Sequence, residues 1–224
     1  MKTLADSIDA LYAAFCDVPK PRKIDGCPCC IDKENICTLL SKQLRELTGG
    51  ELASYSSSAF LTVGSEPDYL YFLPRIVEVA STEGGWYPDV EIIGRAIGET
   101  KPASWSVERR QALLDVLHAA IQKDLDEEVW TVDGWICAIA RMGLEVLPFL
   151  EQIETSPSQL LSYYESNSQS LIKDRLGNAF WDREDPGFVA VLAWFKSPRV
   201  TKIIRDAYGL EPNNSQQVVA PNGP

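Results

Sequence analysis

Four of the six cysteines, Cys27, Cys29, Cys30 and Cys37, fall within eleven positions, in the stretch IDGCPCCIDKENIC that spans residues 24–37. Cys16 lies eleven residues ahead of Cys27. Thiols at this density support three kinds of chemistry. A structural zinc ion takes four thiolate or imidazole ligands in a tetrahedron, commonly from pairs two residues apart. Cys27 and Cys30 have that spacing, and Cys16 and Cys37 flank them at the end of one expected helix and the start of the next. These four are therefore the candidate metal ligands of a zinc staple tying two helices across a loop of low apolar content. No second such pair and no nearby histidine reinforces the pattern. Redox chemistry is the second reading, because Cys27-Pro28-Cys29-Cys30 resembles the Cys-Pro-X-Cys site of glutaredoxin-like proteins. That chemistry ordinarily follows a strand in a βαβ unit, and PRKIDG is no such strand. The third reading is of reduced thiols packed in a loop without chemistry. All three stand on the residues alone.

Little else in the chain has the form of an active site. His118 is the single histidine, beside Leu114, Leu117 and Ile121 on a helical face, where a buried, hydrogen-bonded ring is expected. One histidine excludes a His-Glu-X-X-His metalloenzyme, and the glycine-rich TGGEL and EGGWY lack the lysine and spacing of a phosphate-binding loop. Acidic clusters occur at Asp124, Asp126, Glu127 and Glu128 and at Asp182, Glu184 and Asp185. The first reads as a solvated helix end, and Asp185 as a helix cap. The aromatic run around Phe180, Trp181, Phe188, Trp194 and Phe195 reads as core. An exposed Trp181 beside Asp182 and Glu184 would anchor a protein partner, and these three are the candidate partner-binding residues. No catalytic residue is assigned.

The net charge of -11, from 32 acidic and 21 basic residues, disfavours nucleic acid, whose phosphates need clustered Lys and Arg. It suits a basic protein partner, since opposite fields steer encounter. Asp6 and Asp9 interrupt what would be the apolar part of an export signal, and no run reaches the eighteen or so apolar residues of a membrane span. The expected compartment is the cytoplasm, where thiols stay reduced.

These residues must be positioned almost wholly by helices. Leu4, Ile8, Leu11, Tyr12 and Phe15 share one helical face, as do Tyr69, Phe72, Leu73, Ile76 and Val77, with Pro74 expected to kink or delay that helix. Between the first two helices, Pro19, Pro21, Pro28 and Gly26 enforce a loop at 16–37. Ile36, Leu39, Leu40, Leu44 and Leu47 resume the helical period, with Gly49-Gly50 read as its C-terminal stop. A helix with inward Val107, Leu113, Leu114, Leu117, Ile121 and Leu125 should start at a Ser106 cap, and Thr131 should cap the next. Ser156-Pro157-Ser158-Gln159 reads as a capping box, while Asp185-Pro186 and Ser197-Pro198 read as cap-then-proline starts. No strand is expected. The fold class is all-α, with about ten short helices packed as helical hairpins, HEAT-like or as an irregular globule. One domain over 1–210 and a mobile tail over 211–224 complete the expected organisation.

PKPRKIDGCPCC, LLSKQLRELTGGELASYSSSA and DYLYFLPRIVEV, taken in order, resemble a family of uncharacterised bacterial all-helical proteins over about residues 11–79. The resemblance implies a bacterial, cytosolic, helical protein and transfers no activity. The combined expectation is a non-enzymatic interaction module, of the kind that binds and neutralises a basic partner as an immunity protein does, with zinc in its N-terminal loop. A thiol-dependent enzyme or redox sensor using the Cys27 motif is the alternative.

Overall fold

In the computed structural model, residues 2–127 and 132–209 are described. The expected cap at Thr131 and the expected tail at 211–224 lie outside them. The described residues form eleven α-helices and no strand. They are α1 (Leu4–Ala14), α2 (Lys33–Ser41), α3 (Gly49–Ser58), α4 (Glu66–Thr82), α5 (Val90–Glu99) and α6 (Val107–Asp126). After these come α7 (Val132–Arg141), α8 (Leu147–Ile153), α9 (Pro157–Leu171), α10 (Pro186–Phe195) and α11 (Pro198–Ala207).

Local chemistry sets most of the boundaries. Ser106, Asp185 and Ser197 each accept a backbone N–H of the first turn, at Arg109, Gly187 and Val200. Gly143 ends α7 at a φ of 72°, with the Leu144 N–H reaching back to the Ile139 carbonyl over 3.2 Å. Three expectations are corrected. Gly49-Gly50 opens α3 instead of closing a helix: Thr48 Oγ1 accepts from Glu51 N–H, and Glu51 Oε2 accepts from Thr48 N–H at 2.9 Å. This reciprocal capping box outweighs the helix-stopping tendency of the glycines. Ser156 makes no capping bond to the backbone, so α9 starts on Pro157 without the expected box, and Gln159 is buried instead. Val107, expected inward, is 67% exposed because it sits in the first turn of α6. Pro74 lies inside α4, which is assigned as one helix from Glu66 to Thr82.

The packing is not a series of sequential hairpins. The most extensive pairings are α5 with α7 and α1 with α6, so partners lie well apart in the chain. One apolar cluster runs from Ile8 and Leu11 through Phe72, Leu117 and Ile139 to Val191 and Ile204. The α5–α7 contact is made by small residues. A Cβ on Gly94 would lie 2.7 Å from Ala138 Cα, and one on Gly98 would strike the Arg141 carbonyl. Gly134 sits correspondingly against Val90 and Glu91, so the two helices run in the same direction.

This contact sets a prediction. Gly94→Val should lower stability by about 1–3 kcal/mol, since backbone at Ala138 cannot yield as a flexible side chain would. Gly50→Ala, where nothing lies within 4 Å, should stabilise by up to about 1 kcal/mol. Urea unfolding of the two variants beside the parent measures both.

Candidate functional site

The two segments 24–31 and 59–64 fix the cysteine loop. Buried Ile24 and Ile31 anchor it on either side of the thiols. Gly26 pairs with Val63, and Cys27 N–H donates to the Thr62 carbonyl at 2.9 Å. The chain then turns, with the N–H groups of Cys30 and Ile31 both donating to the Cys27 carbonyl. Cys27 and Cys30 are half-exposed, and Cys16, Cys29 and Cys37 exposed. Cys27 Sγ faces the backbone N–H of Cys29, which lowers its pKa most. Desolvation opposes this, and the Cys30 and Cys29 thiols and the Cys30 N–H add to the lowering.

The four-cysteine zinc set expected from spacing is not assembled. Among the described residues no three or more His, Cys, Asp or Glu side chains are grouped to hold a metal. Cys16 follows the end of α1 and Cys37 lies on α2, and both are exposed. All six cysteines are free thiols, and burial pushes Cys137 up to about 12, with Glu91 and Asp133 adding to the effect.

The expected partner anchor is also divided. Trp181 is half-buried and packs edge-on to Phe188, with ring centroids 6.1 Å apart. Its indole faces Asp133 in the interior. Asp182 borders a hollow of about 380 Å³ with Arg95, Lys101, Arg141, Glu99 and Asp185, where the charges balance. Glu184 is exposed and lies outside that hollow. His118 is half-buried, stacked 4.1 Å from Phe149, with Nδ1 hydrogen-bonded to Gln152 Oε1 at 2.8 Å.

A further cleft is lined by residues to which no motif assigns chemistry. It encloses about 550 Å³ between the α4–α5 connection, the end of α6 and the start of α7. Trp86 and Trp135 wall it. Trp86 is held in place by its indole N–H, which donates to the Gly49 carbonyl at 2.8 Å, and Gly49 leaves the ring room. Six acids line the cleft, Glu83, Asp89, Glu91, Asp124, Glu127 and Asp133, with Lys123 the one basic residue in the lining. Glu91 is 7% exposed, and its Oε1 accepts from Asn178 Nδ2 at 2.6 Å.

Asp133 is raised above its ordinary pKa, chiefly by burial and further by the Glu91 charge. The Tyr163 hydroxyl, Asn178 amide and Trp181 indole face it and oppose the rise. Asp133 Oδ1, the Tyr163 hydroxyl and the Trp181 indole nitrogen nevertheless lack a close hydrogen-bond partner. The buried end of the cleft is therefore an acidic cluster backed by incompletely satisfied polar atoms. Its charge suits a positively charged group, with the partly exposed Trp86 beside it.

Each acid has a plain local role in the sequence: Glu91 and Asp133 are first-turn acids of helices, and Asp124 and Glu127 end one. Their convergence depends on the α5–α7 packing and left no local signal. No family model, no curated protein and no solved structure matches this chain.

The raised Asp133 has a thermodynamic consequence. The native state holds this proton more tightly than the unfolded chain, whose carboxyl titrates near 3.8. The Asp133 contribution to stability therefore falls as pH rises from that value through the native pKa. Asp133→Asn should be more stable than the parent at neutral pH, with the difference shrinking on acidification. Paired unfolding curves across pH isolate this effect from the titration of other groups.

Proposed function

We propose that this protein is a non-enzymatic, cytoplasmic interaction module that binds a basic protein partner, as an immunity protein binds its toxin, at the acidic cleft. The observation that carries the reading is the cleft's lining of six carboxylates with a single lysine between two tryptophans. A lysine or arginine side chain entering there would gain the field of the rim and relieve the repulsion between Glu91 and Asp133. The cleft is also large enough to take one long side chain with its alkyl stem against Trp86. The chain's charge of -11 supports the same partner class by steering a cationic surface toward the protein from a distance. The absence of a helix long and apolar enough to cross a membrane, among the described residues, is compatible with this setting.

Oligolysine serves as the probe, with tryptophan fluorescence as the readout. Binding should weaken by about tenfold or more as salt is raised through the physiological range, since screening shortens the reach of rim charges. Combining Glu83→Gln, Asp89→Asn and Glu91→Gln should weaken binding by about tenfold at fixed salt. Glu66→Gln and Glu151→Gln, exposed acids elsewhere on the surface, should leave it close to the parent value. Equal losses in both sets would assign binding to the acidic surface at large and overturn the cleft reading. Failure to bind at low salt would overturn it as well.

A further inference from the structure

The cysteine turn forms a second site, independent of the cleft. Its backbone is set by the core. Gly26 has no room for a side chain, since a Cβ there would lie 2.9 Å from Ile31 Cγ2 and 3.2 Å from Val63 Cγ2. The bond from Gly64 N–H to the Asp25 carbonyl, at 2.8 Å, joins the Cys27–Thr62 bond in clamping the start of the turn. Its exit is fixed by the N-cap of α2, where Asp32 Oδ1 accepts from Asn35 N–H at 2.7 Å. Pro28 presets the backbone of the first turn residue and removes one competing N–H. Between these anchors the Cys30 N–H closes on the Cys27 carbonyl at 2.9 Å, which brings positions 27 and 30 to the same side of the turn. Both thiols reach solvent, and the Cys27 thiol touches that of Cys30.

We propose that Cys27 and Cys30 form a dithiol that exchanges with small-molecule disulfides, Cys27 attacking and Cys30 resolving. In the first step the Cys27 sulfur, as thiolate, bonds to one sulfur of the disulfide RSSR. The S–S bond of RSSR breaks, and RS⁻ leaves and takes up a proton. In the second step the deprotonated Cys30 sulfur attacks Cys27 Sγ, the mixed disulfide breaks, and a second RS⁻ leaves and is protonated. The protein dithiol is oxidised by two electrons to a Cys27–Cys30 disulfide, and RSSR is reduced to two RSH. The two protons shed by the protein thiols balance those taken up by the leaving groups. One feature of the turn suits Cys27 to the first role. The N–H groups of Cys29 and Cys30 stabilise its anion, and exchange rates follow the fraction of thiol present as thiolate. Cys30 suits the second because the turn already holds its sulfur beside Cys27.

The test uses the reduced, full-length protein and oxidised glutathione, with acid quench, alkylation of remaining thiols and peptide mapping by mass spectrometry. The parent should yield a Cys27–Cys30 disulfide with little trapped glutathione. Cys30→Ser should accumulate glutathione on Cys27, and Cys27→Ser should lose the fast phase, slowing by roughly tenfold or more. Cys29→Ser should behave as the parent, which separates the chosen resolving thiol from its neighbour. Circular dichroism of each variant verifies that these surface substitutions leave the helices intact. If Cys16 and Cys37, which are exposed without such a turn, react as fast as Cys27, simple exposure accounts for the reactivity and the proposal fails. If Cys30→Ser traps no more glutathione than the parent, Cys30 is not the resolving thiol, and the proposal fails again. Neither result bears on oligolysine binding at the cleft.

Discussion

The close approach of α5 to α7 is the constraint on which the rest of the structure depends. Glycine at 94 and 98 lets the backbone of one helix lie against the backbone of the other. Dispersion falls off steeply with distance, so this contact is strong where it fits and intolerant where it does not. α10 extends the same logic: a Cβ on Gly187 would lie 2.5 Å from Ala140 Cβ on the next part of α7. Because α5 and α7 run in the same direction, their N-terminal turns lie at one end of the pair. Glu91 and Asp133, separated by a long stretch of sequence, become neighbours there, and Asn178 reaches both from the α9–α10 connection.

That arrangement places the electrostatics at odds with the packing. A core contact this close would ordinarily bury apolar side chains, yet at its N-terminal end it buries carboxyl groups. Glu91 is 7% exposed, and burial raises Asp133 above its ordinary pKa. Helix N-termini favour negative charge, which offsets part of the cost of placing acids there. The offset is incomplete, as the upward shift of Asp133 shows. Its own Oδ1 and two polar atoms facing it, the Tyr163 hydroxyl and the Trp181 indole nitrogen, also remain without close partners. Buried polar groups that are left unsatisfied lower stability, and such groups concentrate where a ligand completes them. The two tryptophans, the acidic rim and this buried end border one cleft, which is the ground on which cation binding is proposed.

The helices were legible because their signals are local. Asp185-Pro186, Ser197-Pro198 and Ser106 each place a cap and a first turn within a few residues, and the structure uses all three. Gly49-Gly50 was misread because the glycines were weighed without Thr48 and Glu51 on either side. The reciprocal bonds of that pair make the segment a helix start, and the same start supplies the carbonyl that holds Trp86. Trp181, read as core and as a partner anchor only if exposed, is half-buried. Its neighbours Asp182 and Glu184 are exposed, but the ring itself turns inward toward Phe188 and Asp133, which sequence proximity cannot convey. The cysteine spacing located a real turn, but among the described residues Cys16, just past α1, and Cys37, on α2, are not grouped with it to hold a metal. The cleft was legible only in fragments: Asp124 and Glu127 stood out as an acidic cluster, but the lining acids come from the α4–α5 connection, the start of α5, the end of α6 and the start of α7, and each alone has an ordinary role at a helix end.

The two proposed sites share one piece of framework. The segment that clamps Cys27 through Thr62 also offers the Ala59 carbonyl to Arg95 of α5, at 3.0 Å. A chain of contacts thus runs from the cysteine turn to the helix that carries Glu91. Contact alone does not couple two sites; that requires an element with two arrangements that both sites bias. α5 is poorly suited to be that element. Gly94 and Gly98 set it against α7 backbone, so any displacement toward α7 is blocked and any displacement away opens the core. The same close packing that creates the cleft therefore isolates it from the turn. The chemistry proposed at Cys27 and Cys30 and the charge recognition proposed at Glu91 and Asp133 are therefore expected to be energetically independent, with free energies that add.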